Sequence, residues 1–425
     1  MSIRKFAAPG GAVLAAALLA APAPAYASGD EVYLAAGLRG ANEVGAAGDA
    51  DGQSTVVLRI SGDEVTYAAR WHRIGTPVAA RVHAGARGAE GEARLEFFAG
   101  PLPGTVLGMT GTVRADPELI KALVTDPGGF YANLPDAAHP RGAVRGQFHR
   151  LNRPIDLNGV LHGSDQATLS ARAGNAPVAA EAAAESGGDR DGQATWWLHP
   201  AGSSIAYTAH WSGLAPVTGG QVREGAIGPV TADLFAGALP ENATGVAGVT
   251  PVPAKVAERI AGSPGRYHAT LRTAESDRGA VRGRLGGEPF THPRALTAEV
   301  SRGEQIYTCA QQPSGGHAFA QLGVSAKLRR GIDHSFVTPG SGPPQWIAPD
   351  GSAVRGTVVT RVPNGAGNIP ELVLDAAQAG ADTGLLAHAT QILRLSTTGG
   401  VAPAGSCEPG AEARVAYGAD YVFLG

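Results

Sequence analysis

Three sets of residues in this chain have types and spacing that could do chemistry. Asp333-His334-Ser335 sets an acid, an imidazole and a hydroxyl in succession, the parts of a hydrolase. Successive side chains on an extended strand point to opposite faces, so these three neighbours form no relay among themselves. His334 would need a distant carboxylate, with Asp350 and Asp420 as the candidates. Ser352 sits in Asp350-Gly351-Ser352 without the Gly-x-Ser-x-Gly of a nucleophile elbow, so this tripeptide reads as a turn. Trp346, beside Pro343 and Pro344, suits either a stacking platform for a ligand or a packed core. The second set is Cys309 and Cys407, the only two cysteines. They lack Cys-x-x-Cys spacing, so a disulfide is expected rather than a metal or redox pair. Closing a loop of that length contributes about 4–5 kcal/mol in the chain-entropy model. The third set is His72, His83, His139 and His149, whose spacing alone specifies no metal centre.

The elements that must position these residues come largely from a duplication. Asp51-Gly52-Gln53 returns as Asp191-Gly192-Gln193, and Tyr67-x-Ala69-x-Trp71 returns as Tyr207-x-Ala209-x-Trp211, both shifted by 140 positions. Arg141-Gly-Ala-Val-Arg-Gly146 returns as Arg278-Gly-Ala-Val-Arg-Gly283, shifted by 137. A repeat of that size is a domain and not a solenoid unit. Thr55–Ile60, the turn at Gly62-Asp63 and Glu64–Trp71 make a hairpin, with Val65, Tyr67, Ala69 and Trp71 on one face. Ile205, Tyr207, Ala209 and Trp211 are placed likewise. Prolines near their first turns predict short helices at Pro117–Thr125 and Pro253–Ala261. The strand through Val144, Gly146 and Phe148 puts Arg145 and Gln147 on the other face, and its twin does the same with Arg282 and Arg284. This predicts a solvated arginine row and not an RNA-binding tract. Leu34–Gly40 aligns with Leu157–Gly163 at a shift of 123, which predicts an Ala/Gly-rich insertion near 167–190 as a surface loop.

The N-terminus reads as a signal peptide over 1–27. Arg4 and Lys5 precede an apolar run too short to span a bilayer, and Ala25-Tyr26-Ala27 gives cleavage between Ala27 and Ser28. No later stretch is apolar enough for a membrane span, so the chain is expected to be secreted, extracellular and monomeric. Lys and Arg number 34 against 37 Asp and Glu, and loss of the leader makes the balance more acidic. That argues against nucleic acid as a partner. With 61 glycines and 30 prolines, many turns and short strands are expected.

Leu38-x-Gly40-x-x-Glu43-Val44, Gly52, Tyr67, Arg81-Val-His83-x-Gly85, Phe130-Tyr-Ala-Asn133 and Gly142-x-Val-Arg-Gly146 resemble the chordin-type (CHRD) domain. The second copy resembles it more weakly. The resemblance implies an all-β chain: two tandem Greek-key-like β-sandwiches, immunoglobulin-like or superoxide-dismutase-like, over 31–150 and 155–287. A linker at 288–298 and a third β-rich domain at 299–425 follow, with few short helices. The third domain opens with Gly303–Cys309 and runs through Pro344-Gln-Trp346, Val354–Val362 and Ile369-Pro370 to Ala416–Phe423. It resembles a secreted domain of unknown function found in bacteria and fungi, departing from it at Glu371, where an aromatic is common.

In the resembled family the strand at Arg81-Val82-His83 often reads His-x-His, a pair able to grip copper or zinc. Here one histidine remains, and the second copy has Gln221-Val222-Arg223. No cofactor is expected, with copper or zinc held through His83 as the alternative. Candidate ligand-binding residues are Arg81, His83, Asn133 and Arg145 in the first module and His334, Trp346 and Asp350 in the third. The expected function is a non-catalytic binding or structural module outside the cell, contacting another exported protein, an envelope polymer or a small ligand. The alternatives are a dismutase-like metal protein and a hydrolase working through His334.

Overall fold

The structure, a computed structural model, describes residues 31–162, 169–174, 189, 191–286, 295–313 and 315–425. The leader, with Ala27 and Ser28, lies outside the described residues, as does most of the Ala/Gly-rich stretch. The chain is all-β, and no helix among the described residues is long and apolar enough to cross a membrane.

Module one contains β1 (Val32–Arg39), β2 (Gln53–Ser61), β3 (Glu64–His72), β4 (Ala79–Ala84), β5 (Ala93–Ala99), β6 (Val106–Arg114), α1 (Pro117–Thr125), β7 (Phe130–Leu134), β8 (Val144–Gln147) and β9 (His149–Arg150). One antiparallel sheet runs 1-2-3-6 and the other 5-4-7-8, and β1 also meets β8 and β9 at one side. The order 1-2-3-6 is not the 1-2-5-4 order of an immunoglobulin constant domain. Alternation decides which side chains fill the sandwich. Val65, Tyr67, Ala69 and Trp71 are all buried, and Tyr67 stacks on Phe97 with ring centroids 4.7 Å apart. Burying such a side chain stabilises by roughly 1.5–3 kcal/mol. Helix α1 starts where Asp116 Oδ1 accepts from the Glu118 and Leu119 amides, and it buries Leu119 and Leu123.

Module two repeats the plan. Helix α2 (Leu157–His162) leads to β10 (Leu169–Gly174), β11 (Gln193–Ala201), β12 (Ser204–Ser212), β13 (Val217–Glu224), β14 (Val230–Ala236), β15 (Ala243–Pro251), α3 (Ala254–Gly262), β16 (Tyr267–Thr273) and β17 (Val281–Arg284). Its sheets run 10-11-12-15 and 14-13-16-17. The alignment of Leu34–Gly40 with Leu157–Gly163 is therefore corrected. Leu157–His162 is a helix, and the counterpart of β1 is β10, inside the stretch expected to be insertion. Leu34 pairs with Leu58 as Leu169 pairs with Leu198. The connection from Gly174 to Gln193 is five residues longer than that from Arg39 to Gln53, not about seventeen.

The two modules share a sheet through the antiparallel pair β6 and β15. Met109 faces Val246, its own equivalent at a shift of 137. Thr110 faces Gly245 as Gly108 faces Ala247, so a local twofold axis passes through this pair. Bonds around it recur in mirrored form: Thr105 Oγ1 donates to Leu234 O at 2.8 Å, and Asn242 Nδ2 donates to Phe97 O at 2.6 Å. A Cβ on Gly111 would strike Asn242 O and the Tyr67 hydroxyl. One on Gly248 would strike Thr105 O and the Tyr207 hydroxyl. The close approach of the two strands requires glycine at both places.

The third domain is a closed barrel whose strands pair in chain order: β18 (Leu296–Gln311), β19 (His317–Leu328), β20 (Asp333–Phe336), β21 (Pro344–Ile347), β22 (Ala353–Val362), β23 (Glu371–Gln378), β24 (Gln391–Gly399) and β25 (Glu412–Leu424). β25 returns to pair with β18. Strand β18 already begins at Leu296, inside the expected linker. Cys309 and Cys407 form the expected disulfide, with Cα atoms 5.8 Å apart and a sequence separation of 98.

Barrel and module one pack together. Tyr33, Ala35, Val57 and Ala68 leave the outer face of the β1–β3 sheet and meet Val373, Leu393, Leu395, Val422 and Leu424, with Leu157 and Val160 of α2 completing the cluster. This explains why β1 is buried along both faces.

Candidate functional site

The sequence-predicted residues of module one do converge, on the outer face of the second sheet. Arg81 on β4 lies in register with Asn133 on β7 and then Arg145 on β8; His83 lies in register with Tyr131 and then Gln147. A loop over 85–91 engages His83, Arg145 and Gln147 on this face, and neighbouring segments engage Arg81 and Asn133. The Arg145 guanidinium rests 3.4 Å from the Tyr131 ring centroid and donates to Ala86 O at 3.2 Å and Ala89 O at 2.7 Å. Gln147 Nε2 donates to Gly85 O at 3.0 Å and Gly128 O at 2.8 Å. Asn133 Nδ2 donates to Glu43 Oε1 at 3.0 Å, and Arg81 pairs with Glu96 at 2.8 Å. The expected solvated arginine row is thus corrected: Arg145 and Arg282 are 2% and 8% exposed, and only Arg284 reaches solvent. Alternation gives the direction of a side chain but not what lies above it.

Burial pushes the Glu43 carboxyl up to about 7, against the pull of Arg145 and the bond from Asn133. Burial holds the His83 imidazole below its usual value, against the bond to Gly91 O, and the Arg81 and Arg145 charges add to the lowering. His83 stacks on Tyr131 at 4.9 Å, and its Nδ1 lies 2.9 Å from Gly91 O. This surrounding does not fit copper or zinc: one ring nitrogen is engaged, the nearby charges are cationic, and the other histidines lie elsewhere. His149 reaches the barrel, His72 lies at the junction described below, and His139 Nδ1 sits 3.0 Å from Asp136 Oδ1. Asp49, Asp136 and His139 do cluster. Buried Asp136 also accepts from the Gly75 and His139 amides, as the anchor of a turn.

In the barrel, alternation holds. His334 is buried, Asp333 is exposed, and the His334 ring lies flat on Trp346 at 4.4 Å with Tyr421 at its edge. Its Nδ1 meets Gln345 O at 2.9 Å, and neither Asp350 nor Asp420 is its partner in a hydrogen bond or ion pair. Burial drives its pKa down to about 3, so the ring is neutral. Trp346 is 1% exposed and belongs to the barrel core. Asp350 accepts from the Ser352 hydroxyl at 2.6 Å and from the Leu385 amide at 2.8 Å, and Leu386 N donates to Ser352 Oγ at 3.0 Å. The turn reading of Asp350-Gly351-Ser352 describes this tether.

The junction between module one and the barrel carries groups that sequence reasoning did not find. Glu371 on β23 is buried and meets His149 Nε2 at 2.9 Å, Arg87 Nη2 at 2.6 Å and the Ser396 amide at 2.7 Å. Burial would raise its pKa, but these partners bring it below the ordinary carboxylate range. The departure from an aromatic at 371 was the one signal available. Nearby, Arg39 grips Asp420 with two nitrogens, and Glu299 gathers Arg73 at 3.1 Å and Arg329 at 3.0 Å.

Beside these pairs lies a cleft of about 960 Å³. Module one lines it with Arg70, His72 and Arg73, and the barrel with Lys327, Arg329 and Arg330; among the described residues that line it, Glu299 and Asp420 are the carboxylates. Lys327 also meets Asp333 at 2.6 Å. Arg73 and Arg330 hold φ of +54° and +67°, where an L-residue is strained by about 1–3 kcal/mol. Gly213, the counterpart of Arg73 in module two, holds φ of +65°. The same backbone position is filled by glycine where no barrel docks and by arginine where one does.

Comparison with known proteins agrees with this division. The CHRD domain family matches residues 34–148 and again 166–285, and the family described as "Protein of unknown function (DUF3455)" matches residues 324–425. No curated protein and no solved structure matches the chain. The two CHRD matches fall on the two sandwiches and together cover more than half of the sequence, so the chain belongs to the CHRD-domain family, with a DUF3455 match over the C-terminal barrel from within β19 onward.

Proposed function

We propose that this is a secreted, non-catalytic binding protein, in which two sandwiches and a barrel form a scaffold for contact with an exported protein, an envelope polymer or a small ligand. The observation that carries the reading is the contrast between the predicted polar residues and the junction. Arg145, Asn133, Gln147, His334 and Asp350 spend their hydrogen bonds on the protein's own loops and strands. The large cavity opens instead between two bodies, a common place for ligand sites. The Cys309–Cys407 disulfide supports an oxidising compartment.

Two measurements test this. Fractionation of cells expressing the full chain should place the disulfide-bonded protein outside the cytoplasm. Equilibrium screening against envelope glycans and exported proteins should return a saturable partner. Cytoplasmic retention, or silence across both panels, defeats the reading.

A further inference from the structure

We propose that the outer face of module two's second sheet, 14-13-16-17, binds a tetrahedral oxyanion, a phosphate or sulfate group. The site shares no residue with the cleft between module one and the barrel. It goes beyond the reading of the chain as a binding protein and does not depend on what the cleft takes.

Strand register assembles the face. Gln221 on β13 lies across from Thr270 on β16 and then Arg282 on β17; in the next row Arg223 lies across from His268 and then Arg284. Arg272, two residues beyond Thr270 on the same strand, shares this side. The two rows are the counterparts of Arg81, Asn133 and Arg145 and of His83, Tyr131 and Gln147 in module one. There the Arg145 charge meets the Tyr131 ring, two loop carbonyls and the pull of Glu43. Here His268 replaces the tyrosine, and Arg223 and Arg284 stand where module one has His83 and Gln147. The covering connection also shortens, from eight residues (85–92) between β4 and β5 to five (225–229) between β13 and β14.

The cations of this face are met by neutral acceptors. Arg223 donates to Gly228 O at 3.1 Å and Gln221 Oε1 at 3.0 Å, and Arg284 to Gly265 O at 2.6 Å. Buried Arg282 makes two long bonds through Nη2, to Gly279 O at 3.3 Å and Arg278 O at 3.5 Å. Glu224 is taken by Arg266 and Asp233 by Gln221, and among the described residues no carboxylate pairs with Arg223, Arg272, Arg282 or Arg284. Burial and then the Arg223 charge lower the pKa of Arg282, as burial and then the Arg284 and Arg282 charges lower that of His268. Polar atoms are left over as well. Arg223 Nε, Arg272 Nε, His268 Nδ1 and Thr270 Oγ1 are buried without a hydrogen-bond partner, and Thr270 is 0% exposed. Donors from three strands thus face one place that lacks an acceptor and a negative charge. A flat carboxylate fills one guanidinium fork, whereas the oxygens of phosphate or sulfate accept from several directions at once.

The test is calorimetric titration of the full chain with sodium pyrophosphate, with sodium sulfate, and with sodium malonate as a carboxylate control. Oxyanion binding should saturate with one equivalent, weaken as salt rises and raise the melting temperature. Arg282→Gln and Arg223→Gln should each weaken it by about tenfold or more, while Arg81→Gln on the matching face of module one should leave it unchanged. A thermal melt verifies folding, and Arg272→Gln carries the test if the buried Arg282 proves indispensable to the fold. Binding of pyrophosphate alone would assign a phosphate ligand, and of sulfate alone a sulfated one; either upholds the proposal. No binding of either oxyanion below about 1 mM, tighter binding of malonate, wild-type affinity in the module-two variants, or a loss confined to Arg81→Gln would overturn it. Absence of oxyanion binding in a protein that is still exported and still captures a partner sinks this site alone, leaving the binding-protein reading in place.

Discussion

The two CHRD modules have one topology and one core but different outer faces. Tyr67 and Trp71 recur as Tyr207 and Trp211 because the space between two sheets demands them, whichever module they serve. Positions pointing away from that space have diverged. Arg70, His72 and Arg73 face His210, Ser212 and Gly213 in the comparison; Asp136 and His139 face Thr273 and Ser276; His149 faces Gly286. Each of the first and last sets touches the barrel or its cleft in module one. The difference teaches that a duplicated sandwich keeps its interior for folding and commits its exterior to whatever docks there. Module two therefore serves as an internal control for module one.

The sharpest way to break the contrast is Glu371→Ala. Removing one partner of a buried charged set costs about 3–5 kcal/mol, and the loss should fall on module one and the barrel. Hydrogen exchange should show faster opening of β1 and β23 with β11 and β12 unchanged; equal acceleration in module two would refute the assignment. Next in size is Gly111→Val or Gly248→Val. Overpacking the shared seam should cost about 1–3 kcal/mol, with near-equal effects because the axis relates the two sites; a large asymmetry in denaturant midpoints would contradict the local twofold.

Glu43→Gln probes pH. A carboxyl raised to about 7 takes up a proton more readily folded than unfolded. The wild type should thus gain stability as pH falls from about 7 toward the ordinary Glu range near 4.5, and lose it on the return. The variant should flatten melting temperature against pH across that window and melt higher than wild type at pH 8. An unchanged profile would show that Glu43 is not the group responsible. Gly213→Arg imposes module one's residue on module two and should cost about 1–3 kcal/mol, through the left-handed backbone and through a Cβ that meets Asp191 O. A neutral result would mean that position 213 accepts a side chain without strain.

Much of the fold was legible because strands announce themselves locally. Alternation placed Val65 through Trp71, Pro117 marked a helix start, and the twin cysteines gave their bond. Leu157–Gly163 misled because its leucine and glycine matched those of β1, although Leu157, Val160 and Leu161 sit at helical spacing. The site was less legible. Sequence named Arg81, Asn133 and Arg145 as candidates within one module but could not show them side by side or the 85–91 loop folded over Arg145. Glu371 and His149 are 222 positions apart, and only docking of separate bodies unites them. Ion pairs across such an interface leave no periodic trace in either segment.

The seam between β6 and β15 also bears on how the molecule behaves in a crowd. A sheet edge is a template for adding further strands, and repeated domains are prone to pairing in runs. Here the two edges that duplication would have exposed are spent on each other about an axis, and such a pairing terminates after a single step. Doubling the sandwich within one chain has thus satisfied an adhesive edge internally, where a lone copy would have had to recruit a neighbour or aggregate.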